Sequence, residues 1–179
     1  MKIGFCGTMS VGKTTLVNTL RNEPEFNKYT FRTERSKHLM DLGIPLNTNS
    51  TLKGQLVFAS ERAIELMQEN IITDRTIIDV MAFCDLSTSM EEHEKLYLNA
   101  TLFYLIKEYD ILFYVSPKGV KIEDNGVRET NIKYRNAVDK KIKSIVEMYK
   151  YMPGKVVTIS GTIEERISQV KKSVDMYNI

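Results

Sequence analysis

Short, mostly apolar runs alternate along the chain with longer segments in which apolar residues recur at helical spacing. The short runs are typical of β-strands, because they are rich in β-branched and aromatic side chains and end at polar or glycine-containing segments. They cover residues 2–6, 29–33, 71–74, 111–115 and 155–160. Strands that are apolar throughout, rather than at every second position, predict a parallel sheet that is covered by helices on both faces.

The segments between these runs carry the helical period. In residues 54–70, for example, Leu56, Ala59, Ala63 and Met67 recur three or four positions apart. The predicted helices cover residues 14–21, 33–43, 54–70, 78–86, 91–109, 132–149 and 161–177. Strands that alternate with helices predict an α/β fold. Because no repeat or composition break marks a linker, we expect a single domain over residues 1–179.

Composition adds little about the partner. The chain has 25 Lys and Arg against 23 Asp and Glu, so its formal charge of +2 is too small to favour a nucleic-acid or membrane partner. Cys6 and Cys84 lie far apart without a CxxC companion, which predicts buried, reduced thiols rather than a disulfide or a zinc site. No apolar stretch is long enough to span a membrane and no secretory signal opens the chain, so we expect a cytoplasmic protein.

The first predicted strand runs directly into Gly7-Thr-Met-Ser-Val-Gly12-Lys13-Thr14, which matches the pattern G-x-x-x-x-G-K-T. Glycines allow backbone N–H groups to converge on phosphate oxygens, and the following helix adds the positive end of its dipole. We therefore predict a phosphate-binding loop in which Lys13 reaches the β- and γ-phosphates of ATP and the Thr14 hydroxyl binds Mg²⁺. The predicted ATP-binding residues of this loop are Gly7, Thr8, Met9, Ser10, Val11, Gly12, Lys13, Thr14 and Thr15.

The third predicted strand ends in Asp74-Arg75-Thr76. An acid followed by arginine suits phosphoryl transfer to a bound acceptor, because the carboxylate can orient Mg²⁺ or accept a hydroxyl proton while the guanidinium holds a phosphate. The alternative is an ion pair at a strand end. The chain has neither Asp-x-x-Gly nor Asn/Thr-Lys-x-Asp, which argues against a GTPase switch.

Four motifs follow predicted strands or lie in a polar insertion. They are the loop that begins at Gly7, Thr33-Glu34-Arg35, Asp74-Arg75, and Glu123-Asp-Asn-Gly-Val-Arg128-Glu-Thr with Arg135 downstream. Together they resemble the P-loop nucleoside and nucleotide kinases over nearly the whole chain. The likeness is closest to the branch that contains bacterial nicotinamide riboside kinase domains and bacteriophage proteins called nucleotide kinases or ATPases, and more distant to thymidylate kinase and deoxynucleoside kinases.

This resemblance implies a three-layer P-loop NTPase fold with a five-stranded parallel sheet. It also implies an enzyme of nucleotide metabolism that moves the γ-phosphoryl group of ATP to a nucleoside, nucleotide or nicotinamide riboside. The chain departs from thymidylate kinase at Thr76, where an aromatic residue is usual, and from deoxynucleoside kinases at Asp74, where Glu is common. These departures leave the identity of the acceptor open.

The resemblance also implies roles for the remaining candidates. Residues of about 117–135 would form a lid whose Arg128 and Arg135 act with Lys13, Asp74 and Arg75 in catalysis; surface ion pairs with Glu123, Asp124 or Asp139 are the alternative. The acceptor would be bound by Glu34, Arg35, Gln55 and Asp79. The alternative is that the first three side chains are solvated and that Asp79 only caps a helix. Gly161 and Thr162 would lie against the adenine, unless Thr162 only caps a helix.

The sequence therefore predicts a kinase that depends on ATP and Mg²⁺, with Thr14 and Asp74 on the metal and a small nucleoside or nucleotide as acceptor. Two other functions stay open. One is a kinase acting on a modified base in DNA, which the lysines of residues 132–150 would serve. The other is a regulator that binds ATP and phosphorylates nothing. The sequence does not predict the oligomeric state.

Overall fold

The computed structural model describes residues 1–33, 35–120, 131–149 and 155–177. It contains five strands in one parallel sheet of order β2-β3-β1-β4-β5. The strands are β1 (Lys2–Cys6), β2 (Thr30–Arg32), β3 (Ile71–Asp74), β4 (Ile111–Val115) and β5 (Lys155–Ile159). The helices are α1 (Lys13–Leu20), α2 (Ser36–Asp41), α3 (Leu52–Leu66), α4 (Ile77–Asp85), α5 (Glu92–Ile106), α6 (Ile132–Tyr149) and α7 (Ile163–Tyr177). The predicted α/β fold with a five-stranded parallel sheet is confirmed.

Two apolar cores lie on the two faces of the sheet. Residues of β1 and β4 alternate between them: Phe5 and Phe113 stack with ring centroids 5.0 Å apart on the face that α1 and α7 cover. Cys6, Leu112 and Tyr114 point to the opposite face, where α3, α4, α5 and α6 pack. Burial of both faces explains why the central strands are apolar throughout.

The edge strand β2 departs most from its prediction. It covers three residues instead of the predicted five, and α2 begins at Ser36 rather than at residue 33. β2 lies at the edge of the sheet and pairs with β3 alone, so it forms fewer backbone hydrogen bonds than a central strand does. The polar sequence around it therefore leaves the sheet early.

The carboxyl ends of β1 and β3 lie side by side, since Phe5 is the register partner of Asp74. The helices that follow these strands leave to opposite faces, α1 to one core and α4 to the other. In open α/β sheets, ligands bind in the crevice at such a point. Among the described residues, no helix is both long and apolar enough to cross a membrane.

Candidate functional site

The loop between β1 and α1 adopts backbone conformations that favour glycine at three positions. Gly7 and Gly12 have φ angles of +150° and +83°, and Ser10 has φ 56°. A Cβ on Gly7 would lie 2.8 Å from the carbonyl oxygen of Val115, so a side chain there would collide with β4. Left-handed turns just before a helix bring successive N–H groups into an anion-binding concavity.

Lys13 begins α1 and is buried within this loop. Its Nζ donates to the carbonyl oxygens of Gly7 at 2.6 Å and Thr8 at 2.8 Å. The ammonium group is therefore held inside the turn of the loop. Thr15, the last residue of the predicted loop site, is exposed.

Thr14 and Asp74 meet across the crevice, as the pairing of β1 with β3 requires. The Thr14 hydroxyl donates to Oδ2 of Asp74, and Asp74 is buried. Its other oxygen, Oδ1, has no hydrogen-bond partner among the described residues. A hydroxyl beside a buried carboxylate with a spare oxygen is the type of donor set that Mg²⁺ prefers, since Mg²⁺ takes oxygen ligands and keeps substrate phosphates or waters in its remaining positions.

Arg75 follows in an unusual backbone conformation, with φ 79°. Its guanidinium lies over the ring of Phe83 at 5.0 Å from the centroid, and Nη1 is 3.6 Å from Oδ1 of Asp79. A left-handed conformation is rare for a residue with a side chain and marks a turn that its surroundings hold in place.

Arg62 of α3 holds that turn, although no motif in the sequence singled it out. Arg62 is buried; its Nη1 donates to the carbonyl oxygens of Asp74 at 3.2 Å and Arg75 at 3.4 Å, and its Nη2 donates to Oε1 of Glu65 at 2.7 Å. Burial raises the pKa of Glu65 to about 7, although the charge of Arg62 opposes the shift. Arg62 lies three residues after buried Ala59 and four before buried Leu66, and this helical spacing was a signal that it points inward.

The predicted acceptor residues have different environments. Asp79 is buried and accepts from the backbone N–H of Thr76 at 2.8 Å and of Gly7 at 3.3 Å, which makes it a cap of α4 and a tie to the phosphate loop. Gln55 is buried, whereas the sequence favoured a solvated glutamine. Arg35 is exposed and lies 3.4 Å from Glu61. Glu34 lies outside the described residues.

The described part of the predicted lid contacts the outer side of the phosphate loop. Thr8 donates through its hydroxyl to the carbonyl oxygen of Arg135 at 2.9 Å, and Arg135 donates through Nε to Met9 at 3.3 Å and through Nη2 to Val120 at 3.0 Å. Asp139, the alternative partner of Arg135, instead pairs with Lys143 at 2.8 Å. Arg128, Glu123 and Asp124 lie outside the described residues.

The start of α7 reaches the loop from the other side. The Thr162 N–H donates to Oε2 of Glu165 at 2.7 Å, and the Glu165 N–H donates back to the Thr162 hydroxyl at 3.3 Å, so Thr162 caps the helix. Gly161 has φ +100°, and a Cβ there would lie 2.0 Å from Oε2 of Glu165. The predicted contact of Gly161 and Thr162 with adenine stays a prediction.

Arg166 is the second site residue that no motif in the sequence singled out. It is buried, and its Nη1 donates to the carbonyl oxygen of Val11 at 2.5 Å. Within the described ranges its Nε has no partner, and burial lowers the pKa of the guanidinium. A buried cation that lies against the phosphate loop makes this side of the crevice electropositive.

Comparison with protein families identifies one match. A family model described as an AAA domain matches residues 2–166. A search of curated proteins found no match.

Several solved structures share the fold. Deoxyadenosine kinase from M. mycoides with bound dATP is 17% identical, with a TM-score of 0.65 over 98% of this chain and 100% of that one. Thymidylate kinase from Ehrlichia chaffeensis is 17% identical, with a TM-score of 0.65 over 97% of this chain and 98% of that one. The NadR protein in complex with NR is also 17% identical, with a TM-score of 0.75, and 98% of this chain matches 50% of NadR. At these identities the likeness establishes the fold, which is that of P-loop nucleoside and nucleotide kinases.

Proposed function

Because the chain belongs to the AAA domain family and shares the fold of nucleoside and nucleotide kinases, we propose that it is a phosphotransferase dependent on Mg²⁺ and ATP. It moves the γ-phosphoryl group of ATP to a nucleoside, a nucleotide or nicotinamide riboside. The observation that carries the proposal is the junction of Thr14, Asp74 and the phosphate loop. There, a hydroxyl and a buried carboxylate oxygen without a described partner lie beside the loop that holds Lys13.

Thr14 and Asp74 fit a magnesium ion. Both offer oxygen, and the spare Oδ1 of Asp74 is a buried acceptor that a cation would satisfy. Among the described residues there is no cluster of three or more His, Cys, Asp or Glu side chains that could hold a metal, and Mg²⁺ does not require one when phosphates complete its shell. When bound, Mg²⁺ neutralises charge that builds up on the phosphates during transfer.

Lys13 and the loop amides bind the phosphates of ATP. The Nζ group of Lys13 donates to two carbonyl oxygens of its own loop, and phosphate oxygens are stronger acceptors because they carry charge. Phosphate oxygens of bound ATP can therefore replace these carbonyl oxygens as partners of Lys13. Gly161 and Thr162, at the start of α7, receive the adenine.

Arg75, Arg128 and Arg135 stabilise the charge of the transferring group. The guanidinium of Arg75 is oriented on both sides, by the ring of Phe83 and by Asp79. Asp79 acts on the acceptor indirectly, by orienting Arg75. Its own carboxylate oxygens already accept hydrogen bonds from the backbone N–H groups of Thr76 and Gly7. If Mg²⁺ leaves Oδ1 of Asp74 free, that oxygen accepts the proton of a hydroxyl acceptor.

Glu34, Arg35 and Gln55 are the residues that we assign to acceptor binding. Gln55 is buried on α3. Its side-chain amide carries both hydrogen-bond donors and an acceptor, which are the groups that a nucleobase edge pairs with. The titles of the similar structures name dATP with deoxyadenosine kinase and NR with NadR, which supports acceptors of this chemical class.

A kinase that acts on DNA has weaker support. Two of the lysines on α6 are neutralised by neighbouring acids: Lys141 lies 2.5 Å from Asp85, and Lys143 lies 2.8 Å from Asp139. Paired lysines contribute less to phosphate binding than free ones.

Incubation with ATP, Mg²⁺ and a pooled acceptor panel tests the proposal. The panel contains nucleosides, deoxynucleoside monophosphates, nicotinamide riboside and hydroxymethylated DNA, and mass spectrometry detects any acceptor that gains one phosphoryl group. We expect a product from one small-molecule class and none from Lys13→Met, whose folding is checked by circular dichroism. ATP binding without any product would contradict transfer and favour the ATP-binding regulator; an unchanged product with Lys13→Met would remove the loop from the mechanism.

A further inference from the structure

Helix α5 has apolar side chains on two opposite faces. Leu98, Leu102 and Ile106 are buried in the core. On the outer face, Leu96, Tyr97, Phe103 and Tyr104 have exposed fractions of 70%, 67%, 44% and 65%. A helix at the surface of a monomer is normally polar on its outer face, whereas a helix that is apolar all round is covered on both sides. The outer face of α5 is therefore expected to be covered.

The outer stripe is symmetric about Ala100. Ala100 is exposed at its centre, with Leu96 and Tyr97 four and three residues before it and Phe103 and Tyr104 three and four residues after it. If a second α5 crosses antiparallel at Ala100, each pair of large side chains meets the opposite pair, and the small alanines meet at the crossing. A surface that matches itself under a two-fold rotation is the requirement for an isologous dimer.

The charges at the two ends of α5 are complementary in the same arrangement. Glu91, Glu92 and Glu94 lie at the start of the helix, and Lys107 follows its end. Antiparallel crossing brings each Lys107 to the acidic start of the other helix. There, Glu92 is also paired with Lys95 at 2.9 Å and Glu91 lies 3.2 Å from His93. Glu108, which would oppose this contact, is paired with Lys2 at 3.1 Å within its own chain.

The apolar area is sufficient for a specific contact. A large aromatic side chain buries about 150–250 Å², so the exposed parts of the four outer side chains amount to roughly 500 Å² per copy. Full burial of these residues in two copies would amount to about 1,000 Å², which is the size that a specific protein interface should reach.

We propose that the outer face of α5 is the interface of a symmetric homodimer, in which two copies cross antiparallel at Ala100. The partner is a second copy of this chain, because the outer face of α5 is complementary to itself. When a second α5 runs antiparallel, large side chains face large side chains and the charged ends face ends of opposite charge. The interface does not depend on the proposed phosphotransfer.

The molecular mass in solution gives the first test. Light scattering during size-exclusion chromatography should report twice the chain mass of 20.6 kDa for the wild type at micromolar concentration. The double variant Leu96→Glu, Tyr104→Glu should weaken dimerisation by at least about thirtyfold, since each copy would bury two unpaired carboxylates. Met176→Glu replaces an apolar residue that is 57% exposed on α7 and should leave the dimer intact.

A cysteine at the crossing point tests the geometry. Helix axes 8–10 Å apart with Cα radii of about 2.3 Å leave roughly 4–5 Å between facing Cα atoms, which a disulfide can bridge. Ala100→Cys should therefore form a covalent dimer on oxidation, whereas Lys140→Cys on the exposed side of α6 should not. The native Cys6 and Cys84 are buried and do not compete. A monomeric wild type, or a dimer that Ala100→Cys fails to cross-link, would overturn the proposal.

Discussion

Two buried arginines hold backbone carbonyl oxygens on opposite sides of the site. Arg62 binds the carbonyls of Asp74 and Arg75, and Arg166 binds the carbonyl of Val11 in the phosphate loop. Their contacts are 12, 13 and 155 positions away along the chain. The periodic pattern could show that these residues face inward, but only the folded chain shows which carbonyl each one meets.

Arg166→Met is expected to weaken ATP binding by about tenfold to a hundredfold, because a charged hydrogen bond to the loop and a positive charge beside it are both lost. Arg166→Lys, which keeps the charge, should recover much of the affinity, whereas a purely structural role would lower the melting temperature of both variants without this recovery. Titration with a fluorescent ATP analogue measures the effect, with exposed Lys172→Met on the same helix as the control. Wild-type affinity in Arg166→Met would rule out a role for Arg166 in nucleotide binding.

The positions of Lys13, Thr14 and Asp74 at one edge of the sheet could be predicted, because the phosphate-loop pattern has fixed spacing and Asp74 ends an apolar strand. The burial of Gln55 could not be predicted, because most glutamines are solvated whereas this one is buried by the packing around α3. For Asp79, the cap of α4 that the sequence offered as an alternative is present. The burial of Gln55 depends on tertiary contacts that no local pattern encodes, whereas the capping contact of Asp79 at the start of α4 is local.

At the scale of elements, apolar periodicity predicted the five strands and the long helices, but in α3 it was wrong about part of the buried face. Leu56 and Met67 of the predicted apolar pattern are 41% and 84% exposed, because polar residues of α3 face the turn after β3 instead. Helix α6 covers the predicted residues, Ile132–Tyr149, because its apolar face repeats over five turns without a break. Strand β2 was predicted too long, since a polar edge strand carries little periodic signal. The sequence predicted α5 only as a helix. The fold shows that its outer apolar side chains are exposed, although Phe103 also contacts the ring of Tyr149 on α6, at 5.4 Å between centroids.

Helix α3 couples to the turn after β3 through the pair of Arg62 and Glu65, and this coupling should appear in the pH dependence of stability. Burial raises the pKa of Glu65 from 4.5 to about 7, so the folded protein keeps a proton that the unfolded chain releases. The free energy of unfolding should therefore fall as the pH rises from about 4.5 to 7, by at most about 3 kcal/mol from this group.

Urea unfolding of the wild type and Glu65→Gln over this pH range isolates the contribution, because other titrating groups cancel in the difference between the two proteins. The wild type should lose stability relative to Glu65→Gln as the pH rises. A constant difference between the two proteins would show that Glu65 titrates alike in the folded and unfolded states.

At the scale of the whole molecule, the parallel sheet places the acid of β3 beside the loop of β1, while α3, α6 and α7 bring arginines to that edge from three directions. The positive charge of these arginines surrounds the Thr14 hydroxyl and the Asp74 carboxylate. Such a site suits a triphosphate, whose negative charge the arginines attract, together with a metal ion held by the two oxygen groups. The alternation of strands and helices predicted the α/β fold, and the family resemblance implied the five-stranded parallel sheet that the structure has. Gln55 and Arg35, two of the residues proposed to bind the acceptor, belong to no motif of fixed spacing like that of the phosphate loop, so the sequence specified the acceptor only by class.

Calorimetric titration with ATP, in the presence and absence of Mg²⁺, tests most directly whether the edge of β1 and β3 is a magnesium-nucleotide site. The wild type should bind ATP at least about tenfold more tightly with Mg²⁺. Asp74→Asn should keep its affinity without Mg²⁺ but lose this enhancement, and Lys13→Met should weaken binding under both conditions. An Asp74→Asn variant that keeps the full enhancement, or a folded wild type that does not bind ATP, would contradict the assignment of this site.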